Sequence, residues 1–169
     1  MTRRWITLFS IIAAVLAVDQ ITKRIVVDTL RLGESRQPVP ALADFFQITR
    51  SENSGAAFGV LSNAGDLFLV IAVIVSVVLI GYYRRLPDGV PLTRIGIGLV
   101  IGGALGNALD RIEYGAVVDF IHYQIPGVIS NVSNLADHAI VFGVIILFVD
   151  SWRVDRAKNQ TEDRGFSTE

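Results

Sequence analysis

The sequence contains no cysteine, only two histidines and only 18% charged residues. Without cysteine the chain forms no disulfide, offers no thiolate to a metal or substrate, and has no acceptor for cysteine lipidation. Two histidines give little basis for a metal site, and no His-Glu-x-x-His motif is present. With a net charge of -1, the chain has no excess of basic residues for binding nucleic acid. These absences disfavour thiol-dependent, metal-dependent and nucleic-acid-binding functions.

Apolar residues dominate instead: 51% of the 169 residues are hydrophobic, more than a soluble domain of this size can bury. Segments long enough to cross a bilayer occur four times. The predicted spans are residues 5–27, 67–83, 95–109 and 137–152. The first has a basic start and an apolar stretch to Val18, as a signal peptide would. Its helical pattern continues to Val27, which favours a retained helix.

These spans predict an α-helical integral membrane protein with one membrane-embedded domain, residues 1–152. The charged tail, residues 153–169, is expected to be disordered. Four spans place both termini on the same side of the membrane. Arginines mark that side as cytoplasmic, because positive charge is enriched in cytoplasmic loops. They are Arg3, Arg4, Arg84, Arg85, Arg153 and Arg156.

The two remaining loops then face outward, and both are irregular and polar. Residues 28–66 contain a strand-like stretch at 44–49, and residues 110–136 contain another at 116–121. The polar side chains of both loops are therefore expected to collect at one membrane surface.

The third span leads into a segment, Gly102–Phe120, that is rich in glycine and in polar side chains. Its strongly polar residues are Asn107, Asp110, Arg111, Glu113 and Asp119. Polar groups at the edge of a span usually indicate a functional site. Gly98, Gly102 and Gly106 recur every four residues, which predicts a face against which another helix packs closely.

A neighbouring face of the same helix becomes polar toward its outer end. Gly103, Asn107 and Arg111 are also spaced by four and share this face. Arg111 alone is compatible with a side chain that reaches the headgroups. A buried Asn107 amide needs a hydrogen-bond partner on another helix or on a ligand.

Two aspartates follow the third span. Asp119 lies between apolar neighbours in 117–121, where an ionised carboxylate is costly unless it is paired or protonated; an outward-facing residue of an alternating strand is the alternative. Asn134 and Asp137 open the fourth span with the spacing of a helix cap. If the two carboxylates meet in a poorly hydrated place, they share a proton, the arrangement with which aspartic proteases activate water.

Two further features carry polar residues that are candidates for the same site. Asp19 and Lys23 form an i, i+4 pair in the outer third of the first span, with the acid leading, which favours an ion pair. Asn53 lies in a turn of small residues, where an asparagine commonly serves the turn itself.

Five segments occur in a fixed order along the chain: Asp19-Gln-Ile-Thr-Lys23, Asn53-Ser-Gly-Ala-Ala-Phe58, the decapeptide 102–111, Val118-Asp-Phe120 and Asn134-Leu-Ala-Asp137. Together they resemble the signature blocks of the lipoprotein signal peptidase family, also called signal peptidase II. The resemblance covers about residues 5–152. It implies four transmembrane helices with a small outward-facing β-cradle and a short surface helix, the latter matching the apolar piece after Asn53.

The resemblance also implies an activity and its partners. Members of this family are aspartic endopeptidases of the bacterial inner membrane that remove signal peptides from prolipoproteins, cutting before a diacylglyceryl-modified cysteine. They need no metal or cofactor, and globomycin-type inhibitors block them. The expected partners are prolipoprotein substrates and membrane lipids, with no nucleic acid. A monomer is expected, with its active site facing the periplasm or cell exterior.

The same resemblance assigns roles to particular residues. The catalytic pair falls on Asp119 and Asp137. The positions that match the substrate and inhibitor pocket are Asn53, Gly103, Asn107, Arg111 and Asn134. Asp19 and Lys23 match a block that is expected to support the site. Ser133 and His138 depart from the family pattern, which leaves the pocket wall uncertain and places an imidazole beside Asp137.

Three alternatives are weighed against this function. Ser130 or Ser133 with His138 would make a nucleophile and base, although no pattern brings them together. A small proton-coupled transporter would use intramembrane charges as a relay. Its relay would consist of Asp19, Lys23 and Asp119. No polar file crosses the second and fourth spans, which argues against transport. In a non-enzymatic scaffold, both aspartates would only cap a helix or contact solvent.

Overall fold

The computed structural model describes residues 3–55, 65–125 and 127–166. Within these ranges the chain forms four α-helices and one four-stranded sheet. The helices are α1 (Arg3–Thr29), α2 (Gly65–Arg85), α3 (Pro91–Tyr114) and α4 (Leu135–Phe166). The strands are β1 (Ser35–Arg36), β2 (Phe46–Asn53), β3 (Val117–Ile125) and β4 (Ile129–Ser133), and a short 3-10 turn occupies Pro40–Leu42.

All four helices are long and apolar enough to cross a membrane, α4 through its part Leu135–Arg153. Each predicted span lies inside one of them. The predicted fold class, four membrane-spanning helices with a small sheet, is therefore confirmed. The short surface helix expected after Asn53 falls outside the described residues.

The predicted disorder of the tail is wrong as far as residue 166, because α4 continues to Phe166. Residues 153–164 contain neither proline nor glycine. Nothing in that sequence interrupts the backbone hydrogen bonds of the helix, so its polar composition alone does not end it.

Helix α3 lies at the centre of the bundle and packs on two neighbours through small residues. A Cβ added at Gly98 or Gly102 would lie 2.8 Å from Ile11 or Val15 of α1. On another face, a Cβ at Gly96 would lie 3.0 Å from the carbonyl oxygen of Gly143 in α4. The predicted glycine face thus packs against α1, and a second glycine contact allows α4 to approach equally closely.

The sheet joins the two loops that connect the spans on one side. Its strands are antiparallel in the order β1-β2-β3-β4, with Ser51 of β2 opposite Asp119 of β3 and a register shift between Ile48 and Ser51. The predicted strands 44–49 and 116–121 correspond to β2 and β3, both of which continue further along the chain.

An apolar cluster fixes the sheet to the ends of the helices. Val26 and Leu30 at the end of α1 are buried against Phe120 and Ile121 of β3. Burial of such side chains contributes roughly 1.5–3 kcal/mol each. This contact anchors β3 across the end of the bundle, next to the first turn of α4.

Candidate active site

The first aspartate of the candidate pair, Asp119, lies in β3 and is almost completely buried, with 3% of its surface exposed. Asn134 donates to Oδ1 at 2.7 Å, and Asn53 donates to Oδ2 at 3.2 Å. Burial, and then the charge of Asp137, raise the pKa of Asp119 to about 7, while the two amide donors act in the opposite direction. A buried carboxyl group with hydrogen-bond partners and a near-neutral pKa is therefore present.

The second aspartate, Asp137, lies in the first turn of α4. Its Oδ1 accepts a hydrogen bond of 2.7 Å from Nδ2 of Asn107 on α3. Its backbone N–H donates to Oδ1 of Asn134 at 2.9 Å, so Asn134 caps the helix as its sequence position predicts. The Asp137 carboxylate itself turns toward Asn107.

Two asparagine amides connect the aspartates. Nδ2 of Asn134 donates both to Asp119 and, at 3.1 Å, to Oδ1 of Asn107. Asn107 in turn donates to Asp137. The partner that the buried Asn107 amide was expected to have on another helix is therefore Asp137 of α4.

A buried group of charges lies behind Asn107. The ammonium of Lys23 contacts Oδ2 of Asp19 at 2.9 Å, Oδ2 of Asp110 at 2.7 Å and Oδ1 of Asn107 at 3.0 Å. These contacts use all three of its N–H donors. The pair predicted from Asp19 and Lys23 thus forms, and it includes a third member.

The sequence analysis assigned no role in the site to two residues of this group, Asp110 and Gln20. Asp110 follows Asn107 by three positions, so it shares that face of α3, a signal available from the sequence. Nε2 of Gln20 donates to Asp110 at 2.9 Å and lies 3.2 Å from Asp19. A glutamine next to a predicted ion pair gives no comparable signal.

Both aspartates open onto a cleft of about 570 Å³. Its polar lining includes Asn53, Asn107, Arg111, Asp119, Asn131, Ser133, Asp137 and His138. Its apolar lining includes Phe68, Val117, Val132, Val141 and Phe142. Arg111 lies at one side, with its guanidinium 5.3 Å from the centre of the Phe68 ring and one N–H donated to the carbonyl oxygen of Asn107. This lining suits an extended peptide, whose backbone is polar and whose side chains are apolar.

The chemistry available here is acid–base chemistry by two carboxyl groups. Across residues 3–55, 65–125 and 127–166, no three side chains of histidine, aspartate or glutamate are grouped to hold a metal ion. A protonated carboxyl donates a hydrogen bond to a carbonyl oxygen, while an ionised one removes a proton from water. Peptide hydrolysis needs both functions.

Comparison with known proteins assigns the chain to a family, because the sequence model of the family described as Signal peptidase (SPase) II matches residues 11–153. The chain belongs to the signal peptidase II family. The activity that the sequence blocks imply, an aspartic peptidase that processes lipoproteins, is the activity of that family.

Relatives of the signal peptidase II family cover most of this chain. Lipoprotein signal peptidase of Moorella thermoacetica is 44% identical over 79% of this chain and 84% of its own length. The enzyme of Geobacillus kaustophilus is 45% identical over 82% of this chain and 88% of its own length. A solved bacterial membrane enzyme structure superimposes with a TM-score of 0.77 and 34% identity, over 87% of this chain and 88% of that one.

Two expected pocket residues of this signal peptidase II chain lie elsewhere. Gly103 is buried between α3 and α4, where an added Cβ would strike the carbonyl oxygen of Ala136 and lie 2.8 Å from Ile140. Asn134 is fully buried beneath the cleft and does not line it. Both residues contact α4 or its first turn, which fits a supporting position, and their predicted role toward the substrate stays a prediction.

His138 lines the cleft, and its ring contacts Asn134 and Tyr123. Its Nδ1 lies 2.6 Å from the carbonyl oxygen of Asn134, to which it donates. Its Nε2 lies 3.5 Å from the hydroxyl of Tyr123, and the two rings meet edge to face. His138 therefore connects the start of α4 to β3.

The serine–histidine alternative has no geometric support. Oγ of Ser133 is 3.5 Å from the carbonyl oxygen of Ile121, and Oγ of Ser130 is 2.9 Å from Nε2 of His122. Among the hydrogen bonds of the described residues, neither serine is joined to His138. The pair proposed with His138 therefore does not form, and the Ser130–His122 contact lies outside the residues that line the cleft.

Proposed function

We propose that this chain is a lipoprotein signal peptidase that removes the signal peptides of prolipoproteins at a bacterial membrane. One observation carries the proposal: a chain of this family places Asp119 and Asp137 in one cleft at the end of four membrane-spanning helices. Relatives named as lipoprotein signal peptidases support this function over that of a proton-coupled transporter.

The two aspartates divide the work of peptide hydrolysis. Asp119 holds a proton and donates it as a hydrogen bond to the scissile carbonyl oxygen, while ionised Asp137 takes a proton from water. The water oxygen then bonds to the carbonyl carbon. As the C–N bond breaks, Asp137 returns its proton to the leaving amine. The pKa of about 7 at Asp119 supports its role as the protonated partner, and the hydrogen bond from Asn107 fixes the position of the Asp137 carboxyl group.

The polar lining supplies contacts for the substrate backbone around the scissile bond. Asn53 donates to Asp119 from the end of β2, and the guanidinium-bearing side chain of Arg111 lines the cleft. Asp19, Lys23, Gly103 and Asn134 act from behind the cleft. The apolar lining from Phe68 and Phe142 suits the lipid-linked residue that follows the cut, the diacylglyceryl-modified cysteine.

The proposed orientation follows from charge. Both termini and the loop between α2 and α3 lie in the cytoplasm, and the sheet and cleft face the periplasm or cell exterior. Residues 1–152 form the peptidase domain, with the remaining polar tail in the cytoplasm. The protein acts as a monomer among membrane lipids and is inhibited by globomycin-type compounds.

A gel-shift assay tests this function. Purified full-length protein in detergent is mixed with a diacylglyceryl-modified prolipoprotein, with and without globomycin. We expect a product shortened by the signal peptide, which globomycin suppresses. The same prolipoprotein without its lipid serves as the matched control and is expected to remain uncut. No cleavage of the lipidated substrate by folded protein would contradict the proposal.

A further inference from the structure

The buried charges behind the cleft bind the backbone immediately before each aspartate of the pair. Oδ2 of Asp110 accepts the N–H of Val118 at 3.0 Å, and Val118 precedes Asp119. Oδ1 of Asp19 accepts the N–H of Ala136 at 3.0 Å, and Ala136 precedes Asp137. One acid thus holds the strand, and the other holds the helix.

A single cation joins the two acids. Lys23 lies between Asp19 and Asp110 at 2.9 and 2.7 Å and gives its third N–H to Asn107, the residue that donates to Asp137. Gln20 adds a second link, with its amide nitrogen 2.9 Å from Asp110 and 3.2 Å from Asp19. The backbone positions of both aspartates therefore depend on one connected unit.

Stability alone does not explain this unit. All three ionisable side chains are at most 2% exposed. Burying charges has a desolvation penalty that apolar side chains of similar volume avoid, so a buried ion pair is weak evidence for stabilisation. Charged groups inside membrane proteins more often serve function.

We propose that Asp19, Lys23 and Asp110 are positioning residues that set the spacing between the carboxyl groups of Asp119 and Asp137. The unit forms no contact with substrate; it acts through the amides of Val118 and Ala136 and through Asn107. The inference rests on the proposed peptidase function, and it adds Asp110 and Gln20 to the residues on which that function depends.

The kinetic test compares Asp110→Ala with Asp110→Asn in detergent-solubilised full-length protein. Alanine removes the acceptor for Val118, whereas asparagine retains one acceptor oxygen. A misplacement of about 1 Å costs about 100-fold in rate, so we expect Asp110→Ala to lower kcat about 100-fold with KM unchanged. Asp110→Asn should recover part of that loss. Asp150→Ala, which removes the acceptor for the Thr93 hydroxyl between α3 and α4, is the matched control and should retain wild-type kcat.

Hydrogen–deuterium exchange distinguishes a positioning role of these residues from a general loss of stability. Asp110→Ala should accelerate exchange at Val118 and leave Ala136 protected, and Asp19→Ala should give the reverse. If Asp110→Ala does not fold, Gln20→Ala removes one contact to each acid without changing charge. Gln20→Ala should then lower kcat with KM unchanged.

Two results would overturn the inference. The first is a wild-type kcat in folded Asp110→Ala, or in Gln20→Ala where Asp110→Ala does not fold. The second is accelerated exchange throughout the protein in place of the opposite effects at Val118 and Ala136. The wild-type protein separates this inference from the proposed function. Failure of the wild-type protein to cut prolipoprotein would refute the function. Wild-type cleavage together with an unaffected variant would refute only the positioning role.

Discussion

Replacing Gly103 with alanine is expected to displace the first turn of α4, and with it Asp137. The added Cβ would strike the carbonyl oxygen of Ala136 and lie 2.8 Å from Cγ1 of Ile140. Favourable carbon–carbon contacts lie at about 3.5–4.0 Å. The available space at Ile140 is therefore short by roughly 0.7–1.2 Å, so α4 must move by that amount or rotate.

The expected cost to folding is small compared with the cost to catalysis. Overpacking of this kind costs about 1–3 kcal/mol, and alanine regains about 1 kcal/mol over glycine inside a helix. The net loss in free energy of unfolding is then about 0–2 kcal/mol. Because Asp137 is adjacent to the displaced Ala136, a shift near 1 Å is expected to lower the cleavage rate about 100-fold.

The assay measures the initial rate of prolipoprotein cleavage together with the thermal unfolding midpoint. Gly81→Ala is the matched control, because an added Cβ at Gly81 meets nothing within 4 Å. We expect this control to gain stability and to keep the wild-type rate. A wild-type rate in Gly103→Ala would refute the reasoning that the α3–α4 contact positions Asp137.

Three further predictions concern pH and orientation. Since the pKa of Asp119 is raised to about 7, kcat/KM should fall about tenfold per unit above pH 7; a flat profile from about pH 6 to 9 would contradict this. The same shift means that ionising Asp119 disfavours the folded state, so its contribution to unfolding free energy should fall as pH rises from 3.8 to about 7. Because cysteine is absent, a single introduced cysteine reports on its own side of the membrane when whole cells are treated with an impermeant maleimide. Ser35→Cys should react and Asp88→Cys should not. The reverse pattern would contradict the proposed orientation.

Local sequence signals were sufficient for the helices and for the capping of α4. Long apolar segments are recognisable wherever they occur, because crossing the bilayer requires them. Asn134 was predicted as a cap from its position three residues before Asp137, and that hydrogen bond forms. The cost of burying Asp119 predicted partners for it, and Asn53 and Asn134 supply them.

Such local signals do not predict contacts between segments that are far apart in the sequence. The spacing places Asp110 on the same face of α3 as Asn107, but its partner Lys23 is far away in sequence and is identified only by the 2.7 Å contact in the structure. Gly103 shares its spacing with Asn107 and Arg111, yet only the position of α4 shows that it faces Ala136. The two edge strands are short, and their pairing depends on neighbours that local propensity does not encode.

The central claim is that Asp119 and Asp137 act together as the catalytic pair, and their asparagine variants test it most directly. Each substitution keeps the side-chain shape and removes a titratable carboxyl group. We expect Asp119→Asn and Asp137→Asn each to abolish prolipoprotein cleavage while the protein stays folded, as judged by a cooperative thermal unfolding transition; Asp119→Asn also loses one of its two amide hydrogen bonds. Asp28→Asn, at an exposed aspartate on α1, should cleave normally. Wild-type cleavage by either Asp119→Asn or Asp137→Asn would contradict the account.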